Sequence, residues 1–600
     1  MAEYVAPLRD LKFVLEHVAD LQTVNQLPGF EEATPDLVDA ILTEAGRFST
    51  GVLSPINRSG DIQGSRLIDG NVVTPDGWKE AYQAFIEGGW NGLSFDSHYG
   101  GQGLPWLVSA AVQEMHKGAN LAFDLCPLLT QAAVEAITSH GTDAQKETYL
   151  EKLISGQWAG TMNLTEPQAG SDLAAVTTRA QPNGDHYLLK GQKIFITYGD
   201  HDLTENIIHL VLAKVPGAPE GVKGISLFIV PKFLLDENGN PAERNDVHCI
   251  ALEHKLGINA SPTAVLAYGD NNGAVGYLVG EENRGLEYMF TMMNLARHAV
   301  GVEGYAMAER AYQKALEYAR GRVQGKDPRT PTKRVAIFAH PDVRRMLMDM
   351  RVHTEAMRGL GCVVASAMDK LGKLSSLDGE YAVAQTRMDV LIPILKGWCT
   401  EVGAQMTSLG VQVHGGMGFI EETGAAQYYR DVRITQIYEG TTGIQAADLA
   451  GRKLLRDGGL TTRSMLEQIQ QDINSLGDFA TVEAKQLVDR LNQAMSEIEL
   501  SVQSLLEQGS QDAGRTMGVS VPYLMQFGYL VGGWMMARSY MAARNFIDNG
   551  SDDPFYQDKL YSCQYYMTQI LPLGQSHHAR VMAGGEMIVG VSDDWFDRAY

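Results

Sequence analysis

Apolar residues recur at spacings of three and four early in the chain, as in Leu37, Val38, Ile41 and Leu42 and again from Glu114 to Leu128, with polar turns between. That period puts the apolar side chains on one helix face, so residues 1–158 are expected to form a helical domain. Between 159 and 279 the rhythm changes to short apolar or alternating runs, HYLLKGQKIFITYG, NIIHLVLAKV, GISLFIVPK and TAVLAYGD, separated by Gly, Pro and Asn-Gly turns. This is the pattern of a strand-rich domain. From 280 to 456 the helical period returns in long segments, Leu286 to Arg322, Pro341 to Leu371 and Tyr381 to Leu409, which imply a bundle of antiparallel helices. Residues 457–600 also read as helical, with DGGLTTRS at 457–464 as their boundary and SDDP at 551–554 as a hinge. The expected fold class is α+β, mostly α.

Length and composition refine this picture. A chain of 600 residues exceeds what one core can hold, and 44% hydrophobic with 20% charged residues is ordinary globular composition. The formal charge of -23 opposes sequence-independent binding to nucleic acid or to an anionic membrane. Five scattered cysteines, Cys126, Cys249, Cys362, Cys399 and Cys563, form no C-x-x-C pair, so a reducing, cytoplasmic setting is expected. The opening MAEYVAPLRDLKFVLEHVADL is acidic and amphipathic, unlike a secretory signal or a transit peptide. The stretch Thr516 to Ala537 has no charged residue, but it holds Pro522, Gln526 and several glycines and so reads as a buried bundle or interface helix, making membrane contact unexpected.

Three strings carry candidate chemistry. MNLTEPQAGSDLAAVTTRA, from Met162, brings the small residues Ala169, Gly170 and Ser171 and the Thr165 hydroxyl to a turn where backbone can approach a ligand. KIFITYG at 193–199 alternates so that Phe195 and Thr197 are expected to share a strand face. QVHGGMGFIEE, from Gln412, precedes YRDVRITQIYEGTTGIQAADLAGRK, in which Glu439 lies beside Gly440 and Thr441. Held among Ile437, Tyr438 and Ile444, that carboxylate would be desolvated and its pKa raised toward the range of a useful base. Taken singly, the strings read as a polar turn, an ordinary strand and a helix-end glutamate.

In order and spacing, from about Gly89 to Lys453 and including YGGQGLP at 99–105, they resemble the acyl-CoA dehydrogenase family. The resemblance implies a helical N-terminal domain, a central β domain and a C-terminal four-helix bundle with FAD between them. It implies flavin contacts from Met162, Leu164, Thr165, Gly170, Ser171, Phe195, Thr197 and Thr441, where Phe195 stands at a position that is often tryptophan. Arg322 and the segment Gln412 to Gly416, with Gly415, would reach the FAD of a neighbouring subunit, and His340 lies in the same region. Ser171, Asn294, Arg297 and Gly440 fall at the substrate, although the family usually has an acid at the place of Asn294. The base is implied to be Glu439, because the alternative helix position is Ala296; Glu303, further along that helix, reads as structural.

The implied reaction is α,β-dehydrogenation of a fatty acyl-CoA of medium to long chain to the trans-2-enoyl-CoA, as in fatty acid β-oxidation. The Glu439 amide and the flavin ribityl chain would form an oxyanion hole, and an electron-transfer flavoprotein would take the electrons. The extra helices resemble those of larger relatives, including the methylmercaptopropionyl-CoA dehydrogenase group, and imply a homodimer. A specialised acyl-CoA dehydrogenase or an oxygen-using acyl-CoA oxidase is the alternative. A relative that binds DNA is disfavoured by the acidic C-terminal segment.

Overall fold

The computed structural model describes residues 4–327 and 329–598. Helices dominate the first part of the chain: Leu8–His17, Pro35–Phe48, Trp78–Glu87, Trp106–Ala119, Leu121–His140 and Asp143–Ile154. The apolar run from Glu114 to Leu128 spans two helices. Asn120 breaks it with an extended backbone, and its side chain accepts from Phe123 N at 3.2 Å. The all-helical expectation also misses a hairpin, Arg66–Ile68 with Asn71–Val73. Its two-residue turn is Asp69-Gly70, both at positive φ, an Asp-Gly signal that is legible in the sequence.

The strand-rich region forms an eight-stranded sheet. Along it lie Val247–Leu252, Thr263–Tyr268, His186–Thr197, Ala274–Val279, Ile225–Pro231, Asn206–Lys214 and Trp158–Asn163, with Arg179–Asn183 pairing beside the long third strand. Trp158–Asn163 runs parallel to Asn206–Lys214, and every residue of it is buried, because Leu121–His140 covers its outer face. That helix passes a length and hydropathy test for a membrane span, yet 89% of its apolar window is buried inside the protein.

The bundle rests on Gly285–Gly321, Pro341–Lys373 and Gly379–His414. The first and third touch backbone to backbone: a Cβ at Gly304 would lie 2.4 Å from Cys399 O, and one at Gly403 would lie 2.3 Å from Gly304 O. Small residues therefore permit a close approach of the two helices near their middles, where Glu303 and Lys396 lie. A second hairpin, Val323–Asp327 with Thr330–Ala336, follows the first bundle helix.

The extension is helical and joined to the bundle. The uncharged stretch read from Thr516 to Ala537 is interrupted at Val519, and the helix proper runs Ser520–Asp548, with Tyr523, Trp534 and Tyr540 buried. It packs on Pro341–Lys373 and Gly379–His414 and is a core helix. Residues 549–553 turn the chain into Pro554–Tyr565. From there buried Lys559 pairs with Asp10 and, at 3.1 Å, with Glu355.

Candidate active site

Glu439 lies in a short turn between helix Ala425–Val432 and helix Thr442–Ala447. The first of these helices is pinned to the sheet region: Asp431 accepts from Ile258 N at 2.6 Å, and Arg430 donates to Leu256 O at 3.2 Å. Glu439 and Gly440 are both left-handed, at φ 53 and 89. For glutamate that backbone costs about 1 to 2 kcal/mol, so its surroundings must hold it.

Four contacts hold the turn. Tyr438 donates to Glu303 on Gly285–Gly321, and Lys396 on Gly379–His414 donates to Gly440 O at 2.5 Å. Gln445 donates to Glu439 O at 3.2 Å, and Thr441 caps the following helix through Ile444 N at 3.2 Å. Glu401 adds a brace by accepting from Gln436 at 2.6 Å and from Thr442 at 2.7 Å. The Glu439 amide itself donates to no acceptor among the described residues.

Half-buried Glu439 has its pKa raised by burial, against the pull of Arg297 and Lys396. Ile437 and Ile444, expected to enclose it, are 49% and 38% exposed, and the charged groups facing it come instead from the bundle helices. Arg297 is buried, lies 3.7 Å from Asp448, and has an Nε without a partner. Asn294, one turn earlier, is exposed. Glu303 is wholly buried, and burial pushes it up to about 7 against Lys117 and the Tyr438 hydrogen bond.

On the sheet side, Met162 is buried, Leu164, Thr165 and Thr197 are half-buried, and Gly170 and Ser171 are exposed. The loop is tied to strand His186–Thr197, since Lys193 donates to Leu164 O at 3.0 Å and Ile194 N donates to Thr165 O at 2.9 Å. Glu166 accepts from Lys193 at 2.8 Å, Thr177 N at 2.7 Å and Thr178 N at 3.0 Å. Burial would raise its pKa, but Lys193 and these bonds hold it at about 2. Phe195 stands at a bulge with φ 59 and is 58% exposed, while Ile196 beside it is buried.

A third group lies at the far ends of two bundle helices. Arg322, Gln412, Gly415 and Gly416 are exposed there, and the stacked rings of Tyr318 and His414, 4.4 Å apart, bring the two ends together. His340 accompanies them, its Nε2 2.7 Å from Gln324 O. Among the described residues no hydrogen bond or ion pair crosses between the turn, the sheet loop and this third group.

These features fit a dinucleotide with a flat ring. The exposed Phe195 ring offers a stacking face, and at Gly170, Gly415 and Gly416 an added Cβ would meet nothing within 4 Å, leaving backbone open to a ligand. The sequence reading missed Lys396, Glu401, Gln445 and Asp448. For Lys396 a signal existed, a lone charge in the apolar run VLIPILKGWC.

Models of the acyl-CoA dehydrogenase N-terminal, middle and C-terminal domains match residues 69–157, 161–270 and 283–454. A model named acetyl-CoA dehydrogenase C-terminal like matches 465–592. A 3-methylmercaptopropionyl-CoA dehydrogenase from Ruegeria pomeroyi is 48% identical, covering 98% of this chain and 100% of its own length. The chain belongs to the acyl-CoA dehydrogenase family. The broad-specificity linear acyl-CoA dehydrogenase FadE5 of Mycobacterium tuberculosis is 34% identical, with 96% of each chain covered. Caenorhabditis elegans ACDH-11 in complex with C11-CoA shares the fold at a TM-score of 0.76 and 21% identity, over 95% of this chain and 92% of that one. As a member of the acyl-CoA dehydrogenase family the protein is an oxidoreductase, and FAD is its expected cofactor.

Proposed function

We propose that this protein dehydrogenates an acyl-CoA thioester between its α and β carbons, with Glu439 as the base that removes the α proton. The observation that carries the reading is the Glu439 turn, a raised carboxyl on a strained backbone beside two buried cations. An α proton is too weakly acidic for a solvated carboxylate to remove quickly, so desolvating the base and stabilising the enolate-like charge are both required. The unclaimed Glu439 amide can donate to the thioester oxygen, and Arg297, with its unpaired Nε, adds positive potential. Met162, Leu164, Thr165, Ser171, Phe195 and Thr197 would hold the flavin, with Arg322, Gln412, Gly415 and Gly416 serving the cofactor of a partner subunit in a homodimer. Bound FAD would supply the two-electron chemistry at the β carbon.

Two substrate classes follow from the relatives. A methylmercaptopropionyl-type thioester is favoured by full-length likeness to the Ruegeria pomeroyi enzyme. A linear fatty acyl chain of medium to long length is the second reading, in keeping with the mycobacterial relative. An electron-transfer flavoprotein is the proposed acceptor, and the cytoplasm is the proposed location, in keeping with five buried free thiols. Anaerobic flavin bleaching with 3-methylmercaptopropionyl-CoA and with linear acyl-CoAs of increasing length tests the proposal. Bleaching by one class at a far higher kcat/KM assigns the substrate, and none by any thioester overturns the reading. Rapid peroxide formation in air would point to an oxidase instead.

A further inference from the structure

We infer that Lys396 is a positioning residue for Glu439: from beneath the turn its ammonium holds the Gly440 carbonyl and presents a fixed positive charge to the Glu439 carboxyl. The inference rests on Glu439 being the base. Lys396 is 0% exposed, within helix Gly379–His414 and among apolar neighbours in sequence. Burying an ammonium is costly unless nearby groups compensate it. Among the described residues no carboxylate lies within ion-pairing distance of its Nζ, and its hydrogen bond goes to Gly440 O at 2.5 Å. The lysine is therefore committed to the turn and not to a conventional salt bridge.

What the contact restrains is the strained part of the backbone. Glu439 and Gly440 are consecutive left-handed residues, and the other side-chain donor to Gly440 O is Gln445, at 3.5 Å. Without the ammonium, the peptide after Gly440 would keep, among the described residues, only that long contact, and although Tyr438, Gln445 and Thr441 still hold its flanks, the carboxyl would be less well placed.

The charges around Lys396 agree. Glu439 faces it from the turn, Glu303 and Arg297 from Gly285–Gly321, and Glu401 from its own helix. Burial brings the ammonium down to about 8, while the three carboxylates work to keep its proton. In return, Arg297 and Lys396 offset the rise that burial imposes on Glu439. Removing the Lys396 charge must then move Glu439 further up, because its charged form loses a favourable neighbour.

The test reads the carboxyl directly. In the FAD-loaded full-length protein without acyl-CoA, the carboxylic acid infrared band that is lost in Glu439→Gln is followed against pH, in wild type and in Lys396→Gln, Lys396→Met and Lys396→Arg. The two neutral variants should raise the midpoint by about one pH unit, and Lys396→Arg should restore it. The acid limb of kcat/KM should move in parallel. In Lys396→Met, which has no donor for Gly440, kcat should fall about tenfold or more with KM little changed. An unmoved midpoint in a folded neutral variant, or an equal rise in Lys396→Arg, overturns the inference. Should neither neutral variant fold, a raised midpoint in Lys396→Arg overturns it and a retained one supports it. Failure of the base assignment is separate: it would show as near-normal flavin reduction in Glu439→Gln, whatever the infrared midpoints.

Discussion

The phenol of Tyr438 donates to the carboxylate of Glu303, which ties the residue before Glu439 to the helix that carries Arg297. Glu439 and Arg297 are thus fixed in one frame, although 142 positions separate them in sequence (439 minus 297).

Removing the donor should expose that tie. Tyr438→Phe leaves a wholly buried carboxylate with less compensation, at a cost of about 1 to 3 kcal/mol. Denaturant unfolding should record the loss. Flavin reduction should slow as well, because the turn is less well held, and wild-type rates would show that the bond does not position Glu439.

Glu303 should also make stability fall with pH. Its pKa is raised to about 7 in the folded state, so the fold favours its neutral form. Stability from this group is complete below its unfolded value and is lost as pH rises through about 7. Glu303→Gln, neutral at every pH, should therefore gain relative to wild type between about pH 4.5 and 7, by about 2 to 3 kcal/mol. Parallel unfolding curves across that window would contradict the buried environment described for it.

Glu439→Gln should retain FAD and bind acyl-CoA while reducing the flavin about 100- to 10,000-fold more slowly. Stopped-flow bleaching under anaerobic conditions measures this. Loss of binding in step with loss of rate would instead mean that the turn had collapsed.

Gly440→Ala should be destabilising for two reasons. Gly440 has φ 89, and an added Cβ would sit 2.7 Å from Gln445 Nε2. The backbone penalty alone is about 1 to 2 kcal/mol. Thermal melting should record it, together with a larger relative drop in kcat than at a surface glycine such as Gly217, where a Cβ meets nothing within 4 Å.

The extension should be fastened by Lys559. Burial alone would raise Asp10, but Lys559 and Arg358 hold it at about 2, so this ion cluster contributes above the unfolded carboxylate range and weakens only as pH falls toward 2. Lys559→Met leaves Asp10 and Glu355 without that partner and should cost about 3 to 5 kcal/mol at neutral pH. Limited proteolysis should then release 457–600 earlier than in wild type.

Periodicity along the chain determined the order of helical, strand-rich and helical regions, and the YEGT, TEP and glycine-rich strings pointed to a family and to Glu439, because these signals are local. Local period could not mark Asn120 as a break inside an apolar run, since capping depends on one side chain reaching a backbone amide three residues on. The site's energetics were decided only by tertiary packing. Gly304 and Gly403 let two helices touch, which brings Glu303 and Lys396 under one turn, and this proximity gives each charge its meaning. In sequence Lys396 is a lone charge in an apolar run and Glu303 reads only as structural. Electrostatic interaction depends on distance and desolvation through space, and a linear chain specifies neither until it is folded.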